Sequence, residues 1–338
     1  MGKRWQDDPA YQAVVRAFID GDPLEQAGGP LDVRAVLAAF SRERKDAFAY
    51  DDLPWERFPR GPETRDDVAR LRSADPEQVW RGLHGVSSEL ADSAWSVAAL
   101  AVPFLLRVAA DPGGHQRARA LELAAGVAQW TRRYDGRFPH GPLHLIEDGW
   151  CYEPSGYLGT WGIEAARAAI AADADLVTAL LDDPDPEVRV AAAYAGAAAS
   201  GRVGGIRAAP HAHLRVEDDP VAAGLVLAVA QLAVEHPDPG GAAWTRSLWS
   251  DPTLPPVVRV SAALGWLHLV DAPAPGDLRA VLDEHATEET ARLMAPLPWM
   301  RGIDAYNDGA AALRGSLEAL LHSEPPEPQR TGTESPPF

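Results

Sequence analysis

Between residues 174 and 199 the apolar positions fall on two helical stripes. Leu176, Val177, Leu180 and Leu181 recur at one-face spacing, and Val188, Ala191, Ala192 and Ala195 do the same further on. The pattern predicts two short antiparallel helices. Asp182-Asp183-Pro184 ends the first, because Pro184 disfavours helical backbone at Asp183. Asp185 is placed to N-cap the second, with Pro186 at its first position and Glu187 complementing the helix dipole in the first turn. The second helix turns mainly alanine inward, so neither helix buries its stripe alone, and stacking on further hairpins is the expected solution.

The pattern recurs along the chain. Val258 to Leu264 mirrors Val188 to Tyr194 and follows Asp251-Pro252, while Asp111-Pro112 stands as far before Arg117 as Asp183-Pro184 stands before Arg189. The matched arginines Arg117, Arg189 and Arg259 lie about two hairpin units apart. A weaker unit follows Asp219-Pro220, with Leu225, Ala228, Val229 and Leu232 at helical spacing. Further helices are predicted at Tyr11–Ile19, Leu31–Phe40, Trp95–Ala109, His115–Gln129, Gly162–Ala171, Leu278–Met294 and Asp308–His322. Ala98, Ala101, Val102 and Leu105 form the predicted buried face of the Trp95–Ala109 helix, and Pro103 marks a kink or restart within it. From Ala49 to Glu63 prolines alternate with Trp55 and Phe58, a segment that packs across the end of the stack or serves as a recognition loop.

Asp-Pro-x-Pro-Glu-Val-Arg followed by an alanine-rich helix resembles a HEAT repeat, the helical hairpin of α-solenoids. The match covers residues 174–199 best and extends to 105–128 and 248–269. Ala101-Val102-Pro103-Phe104-Leu105-Leu106 before Ala110-Asp111-Pro112, together with Trp55 and Arg72-Ser73-Ala74-Asp75-Pro76, is similar to bacterial HEAT-repeat proteins of the PBS-lyase HEAT-like group. Relatives there often carry His-Gln-Gly where this chain has Leu90-Ala91-Asp92, so no role of that stretch is carried over. The resemblance implies an all-α fold, a right-handed α-solenoid of HEAT-like hairpins. On this reading residues 1–62 form an N-terminal helical cap and irregular segment. Residues 63–130 and 161–323 hold the hairpins, 131–160 an irregular insertion, and 324–338 a proline-rich disordered tail.

The 338 residues and 46% hydrophobic content suffice for one large or two ordinary domains, a choice that a continuous stack removes. Net charge is −18, from 31 basic and 49 acidic side chains. Residues 151–338 hold 12 basic and 26 acidic groups, which leaves 19 and 23 for residues 1–150. The negative second half disfavours nucleic-acid phosphates and anionic membranes and favours a basic partner. Cys151 is the single cysteine, the polar start MGKRWQDDPA does not read as a secretory signal, and the apolar run Val221–Val234 is shorter than a membrane span. A cytoplasmic protein is expected.

No nucleotide-binding glycine loop, nucleophile elbow or zinc-protease helix occurs. His140 and His144, with Glu147, Asp148 and Cys151 behind them, offer metal-ligand chemistry, but Pro142 disfavours a helix that would aim both rings together. Among HEAT-like enzymes, the di-iron hydroxylases use His-Glu pairs, whereas Glu235-His236 and Glu284-His285 run the other way. Alkylpurine DNA glycosylases need a basic concave face, which the net charge opposes even with Arg132, Arg133 and Arg137 clustered. Bilin lyases leave no diagnostic residue to match. Trp95, Trp244, Trp249 and Trp266 fall in helical patterns and are expected to pack in the core.

The leading expectation is a protein–protein interaction scaffold, with no catalytic residue, cofactor or metal; the alternative is a HEAT-like enzyme or nucleic-acid-binding protein. The aromatic, glycine- and proline-rich stretch 131–160 is the expected partner surface. Its candidate contacts are Tyr134, Phe138, His140, His144, Trp150 and Tyr152, with Trp161 beside them.

Overall fold

The structure is a computed structural model that describes residues 31–58, 60–92, 94–129, 143, 153, 157–199, 219–236, 238–300 and 309–321. Those residues form fifteen α-helices and no strand, so the fold is all-α. The first half of the chain holds α1 (Val33–Ala39), α2 (Arg42–Asp46), α3 (Gly61–Arg70), α4 (Pro76–Ala91), α5 (Trp95–Ala110), α6 (Arg117–Ala128), α7 (Gly159–Ala172) and α8 (Ala174–Ala179). The second half holds α9 (Pro186–Ala197), α10 (Asp219–Glu235), α11 (Pro239–Trp249), α12 (Pro256–Leu269), α13 (Gly276–His285), α14 (Glu288–Met294) and α15 (Gly309–Leu321).

The Asp-Pro dipeptides do two local jobs. In Asp75-Pro76, Asp185-Pro186 and Asp238-Pro239 the carboxylate N-caps a helix whose first residue is the proline, accepting from Glu77, Glu187 and Gly240 N–H at 3.0, 2.9 and 2.9 Å. Asp111, Asp183 and Asp251 instead close Asx-turns, accepting the N–H two residues on at 3.0, 3.0 and 2.9 Å. After each of these turns the matched arginine reaches back to a carbonyl near the end of the preceding helical segment. Arg117 bonds Ala109 O at 2.8 Å, Arg189 bonds Asp183 O at 2.9 Å and Arg259 bonds Trp249 O at 3.1 Å. The sequence repeat is thus a repeated backbone-fastening device, since those terminal carbonyls lack helical donors.

Helix α3 packs on α4, α5 on α6 and α7, α6 on α9, α9 on α10, and α10 on α12, which also carries α11. Side-chain ties follow the same order at a nearly constant offset. Arg107–Asp173 and Arg117–Asp183 are each 66 residues apart, Gln129–Tyr194 is 65, and Arg167–Glu235 and Gln231–Trp299 are 68. One apolar cluster runs from Val33 in α1 to Leu317 in α15.

Helix α5 departs from the amphipathic expectation, for it is buried on all sides from Trp95 to Leu106. The reason is its place: α2, α4, α6 and α7 surround it, and a helix apolar all round is stable only when enclosed. It runs through Pro103 as one helix. Trp95, Trp249 and Trp266 are buried and Trp244 is half-buried, as core packing requires. The stretch after Ala49 forms two short 3-10 turns that bury Leu53, Trp55 and Phe58, with Trp55 Nε1 donating to Tyr50 O at 2.7 Å. A Cβ at Gly61 would fall 1.7 Å from Trp55 O, so only glycine lets α3 start against this turn.

Candidate functional site

Three features carry charge in unusual surroundings: a buried carboxylate on α8's doorstep, a second at the end of α4, and a cleft between helix ends. Asp173, at the α7–α8 junction, has a side chain 1% exposed. Arg107 from α5 grips it with both Nη atoms, at 2.5 and 2.9 Å, and Lys45 from α2 approaches Oδ2 at 3.3 Å. Burial pushes the Asp173 carboxyl up, but the Arg107 hydrogen bonds and charge, with Lys45, bring it below the ordinary carboxylate range. Arg107 also donates to Asp46 at 2.9 and 3.0 Å, so its fork is fully engaged.

Glu89, near the end of α4, is equally buried and far less well met. Arg60 Nη2 lies 3.0 Å from Oε1 but outside hydrogen-bond geometry, and neither carboxylate oxygen accepts a hydrogen bond. Burial, opposed only by Arg60 and reinforced by Asp92, Asp67 and Glu63, lifts this carboxyl to about 7. Asp67, on the facing helix α3, is also raised, by burial first, with Arg70 opposing. Two glycines make room for this seam: a Cβ on Gly82 would lie 2.5 Å from Asp67 O, and one on Gly85 would overlap the Asp67 carboxylate.

A cleft of about 550 Å³ opens where α2 ends, α3 turns into α4, and α5 turns into α6. Phe48, Leu71, Val108 and Ala110 give it apolar walls, and Asp46, Arg72, Arg107, Asp111 and His115 give it polar groups. Phe48 sits in the left-handed region (φ 55) at the end of α2, where Phe48 N–H bonds Lys45 O and Ala49 N–H bonds Arg44 O. Glycine usually occupies that position of this helix ending. Here the ring is what the position supplies, packing edge-on to Phe104 with centroids 5.0 Å apart while the Arg72 guanidinium lies 5.3 Å over it. His115 Nε2 lies 3.3 Å from Ala74 O across the cleft.

Six of the expected partner contacts, Tyr134, Phe138, His140, His144, Trp150 and Tyr152, lie outside the described residues. Trp161 stands half-buried in the first turn of α7, its ring 4.5 Å beneath the guanidinium of Arg34 from α1. The described parts of the 131–160 stretch face inward. Leu143 is 1% exposed, Glu153 Oε1 accepts from Ser96 N–H at 2.6 Å, and Tyr157 donates to Arg57 O at 2.5 Å. Glu153 thereby satisfies the start of α5, whose own N-cap residue Ala94 offers no side chain for it.

Phe48, His115 and Glu89 carry no motif in the sequence that would single them out, and Arg72 and Asp111 stand there only as parts of the repeat pattern and the HEAT resemblance. Their nearest signals are the Asp-Pro turns at 75–76 and 111–112, which place loop residues at the same end of neighbouring hairpins. No protein-family model matches the chain, and no curated protein is similar to it by sequence.

Proposed function

We propose that the chain is an α-solenoid of HEAT-like hairpins serving as a protein-binding scaffold, with a basic protein as its partner. The observation that carries this reading is the recurrence of one fastening device, Asx-turn plus back-reaching arginine, at 111–117, 183–189 and 251–259, in hairpins tied to one another at a nearly constant sequence offset. Repeats that contact chiefly their neighbours build extended surfaces suited to gripping another chain. The surplus of acid in residues 151–338 sets the sign of the partner, and Asp283, Glu284, Glu288 and Glu289 stand exposed at the α13–α14 turn.

Two measurements test it. Small-angle scattering should give a radius of gyration clearly above the roughly 20 Å of a compact globule of this length; a value at that level would sink the solenoid. Capture from the native lysate should retain a basic protein at low salt and release it at high salt. Retention of nucleic acid or a small cofactor without any protein would turn the reading to the enzyme alternative.

A further inference from the structure

We propose that the cleft between the ends of α2, α3 and α5 binds a small zwitterion of the α-amino-acid type with an apolar side chain. This inference is independent of the scaffold reading. Its basis is the charge left over once the internal pairs are formed. Of the charged groups facing the cleft, Arg107 and Asp46 bond each other at 2.9 and 3.0 Å, and Arg107 also holds Asp173. They are committed to the fold.

Arg72 and Asp111 are not. Among the described residues Arg72 forms no ion pair and rests its guanidinium on Phe48. Asp111 has no cationic partner among the described residues and uses Oδ1 to accept Gly113 N–H at 3.0 Å. Both line the same cleft, yet they do not pair. Both are exposed at the cleft, Arg72 on the connection after α3 with its guanidinium over the Phe48 ring, Asp111 on the connection after α5 with its carboxylate closing an Asx-turn. Opposite charges held apart across one small space match a ligand with an anionic and a cationic end. A carboxylate meets the planar guanidinium fork, an ammonium meets the Asp111 carboxylate, and His115 adds a third polar group on the Arg72 side through its contact with Ala74 O. The remaining walls, Phe48, Leu71, Val108 and Ala110, suit an apolar side chain. The volume falls within the usual range for small-molecule sites.

The test is calorimetric titration of the full chain with L-leucine, the dipeptide leucyl-leucine, N-acetyl-L-leucine, which lacks the cation, and L-leucinamide, which lacks the anion. One of the two zwitterions should bind saturably, and the pair separates a free amino acid from a peptide as its source. Each single-charge analogue should bind at least about tenfold more weakly. Arg72→Gln should abolish the preference over leucinamide, and Asp111→Asn, which keeps the turn's acceptor, should abolish the preference over N-acetyl-leucine. Arg81→Gln, on the exposed face of α4, should change nothing. Absence of binding by either zwitterion, equal binding of N-acetyl-leucine, or wild-type affinity in both cleft variants would each overturn the assignment.

Discussion

Asp173 and Glu89 are both carboxylates with side chains 1% exposed, and they behave in opposite ways. Asp173 receives two guanidinium bonds and an ammonium, and is held ionised below the usual range. Glu89 receives one lateral arginine that is itself half exposed, stands among other acids, and is lifted to about 7. Burial is therefore not what decides a carboxylate's charge; the number and aim of its donors is. Asp173 is a structural keystone between three helices, whereas Glu89 is a group whose protonation changes near neutrality.

The largest expected effect breaks the first member of that pair. Asp173→Asn takes the counter-charge from the buried Lys45 and leaves Arg107 only its Asp46 partner, and denaturant unfolding should show a loss of about 3–5 kcal/mol. Because the folded carboxyl lies below its unfolded value, the stabilisation is present above the ordinary carboxylate range and is lost as pH falls through the lowered value.

Glu89 should show the reverse sign. Its folded value of about 7 exceeds the ordinary value of 4.5, so the native state holds the proton more tightly and stability declines as pH rises between those two values. At about 1.4 kcal/mol per unit the full span is on the order of 3 kcal/mol. Glu89→Gln should therefore raise the melting temperature at pH 8, leave it nearly unchanged at pH 4.5, and flatten the profile between. A variant less stable than the parent at pH 8 would mean that the Arg60 pair outweighs the burial.

Removing that partner sharpens the contrast. Arg60→Ala should move the midpoint of the pH–stability profile upward and cost about 1 kcal/mol at pH 8, small because the arginine is 48% exposed. The smallest effect serves as a control away from both centres. Trp80 is 50% exposed and, among the described residues, stacks on His84 at 5.1 Å between ring centroids. Trp80→Ala should change stability by no more than about 0.5 kcal/mol in thermal unfolding.

Much of the helical layout was legible in the chain. The hairpin at 174–199 has its break at Asp183-Pro184 and its N-cap at Asp185, as the residues predict, and the three-fold match of Asp-Pro turns and arginines corresponds to one repeated geometry. These features are short in sequence, so propensity, proline sterics and side-chain-to-backbone bonds specify them locally. The Trp95–Ala109 face was legible only in part, since four apolar positions announce a stripe but not that a charge-poor helix will be enclosed on every side.

The candidate site was hardly legible at all. Aromatic density drew attention to 131–160, and six of those contacts lie outside the described residues, while Trp161 packs under Arg34. Phe48, Arg72, Asp111 and His115 come from three separate connections, and nothing along the chain joins them.

Sequence by itself determined the break and N-cap of the 174–199 hairpin, the recurrence of Asp-Pro turns followed by arginine, and that residues 151–338 are acidic, because each depends on neighbours along the chain or on a simple sum. By contrast, the predicted Leu278–Met294 helix divides at Ala286-Thr287, and the predicted Tyr11–Ile19 helix lies outside the described residues. Tertiary structure alone decided that Lys45 and Arg107 meet on Asp173, that Glu89 is buried with so little to receive it, and that Arg72 and Asp111 face one cleft unpaired. Those outcomes depend on partners 29 to 128 residues apart, Arg60 to Glu89 and Lys45 to Asp173, whose distance and solvent exposure are set only when the hairpins pack.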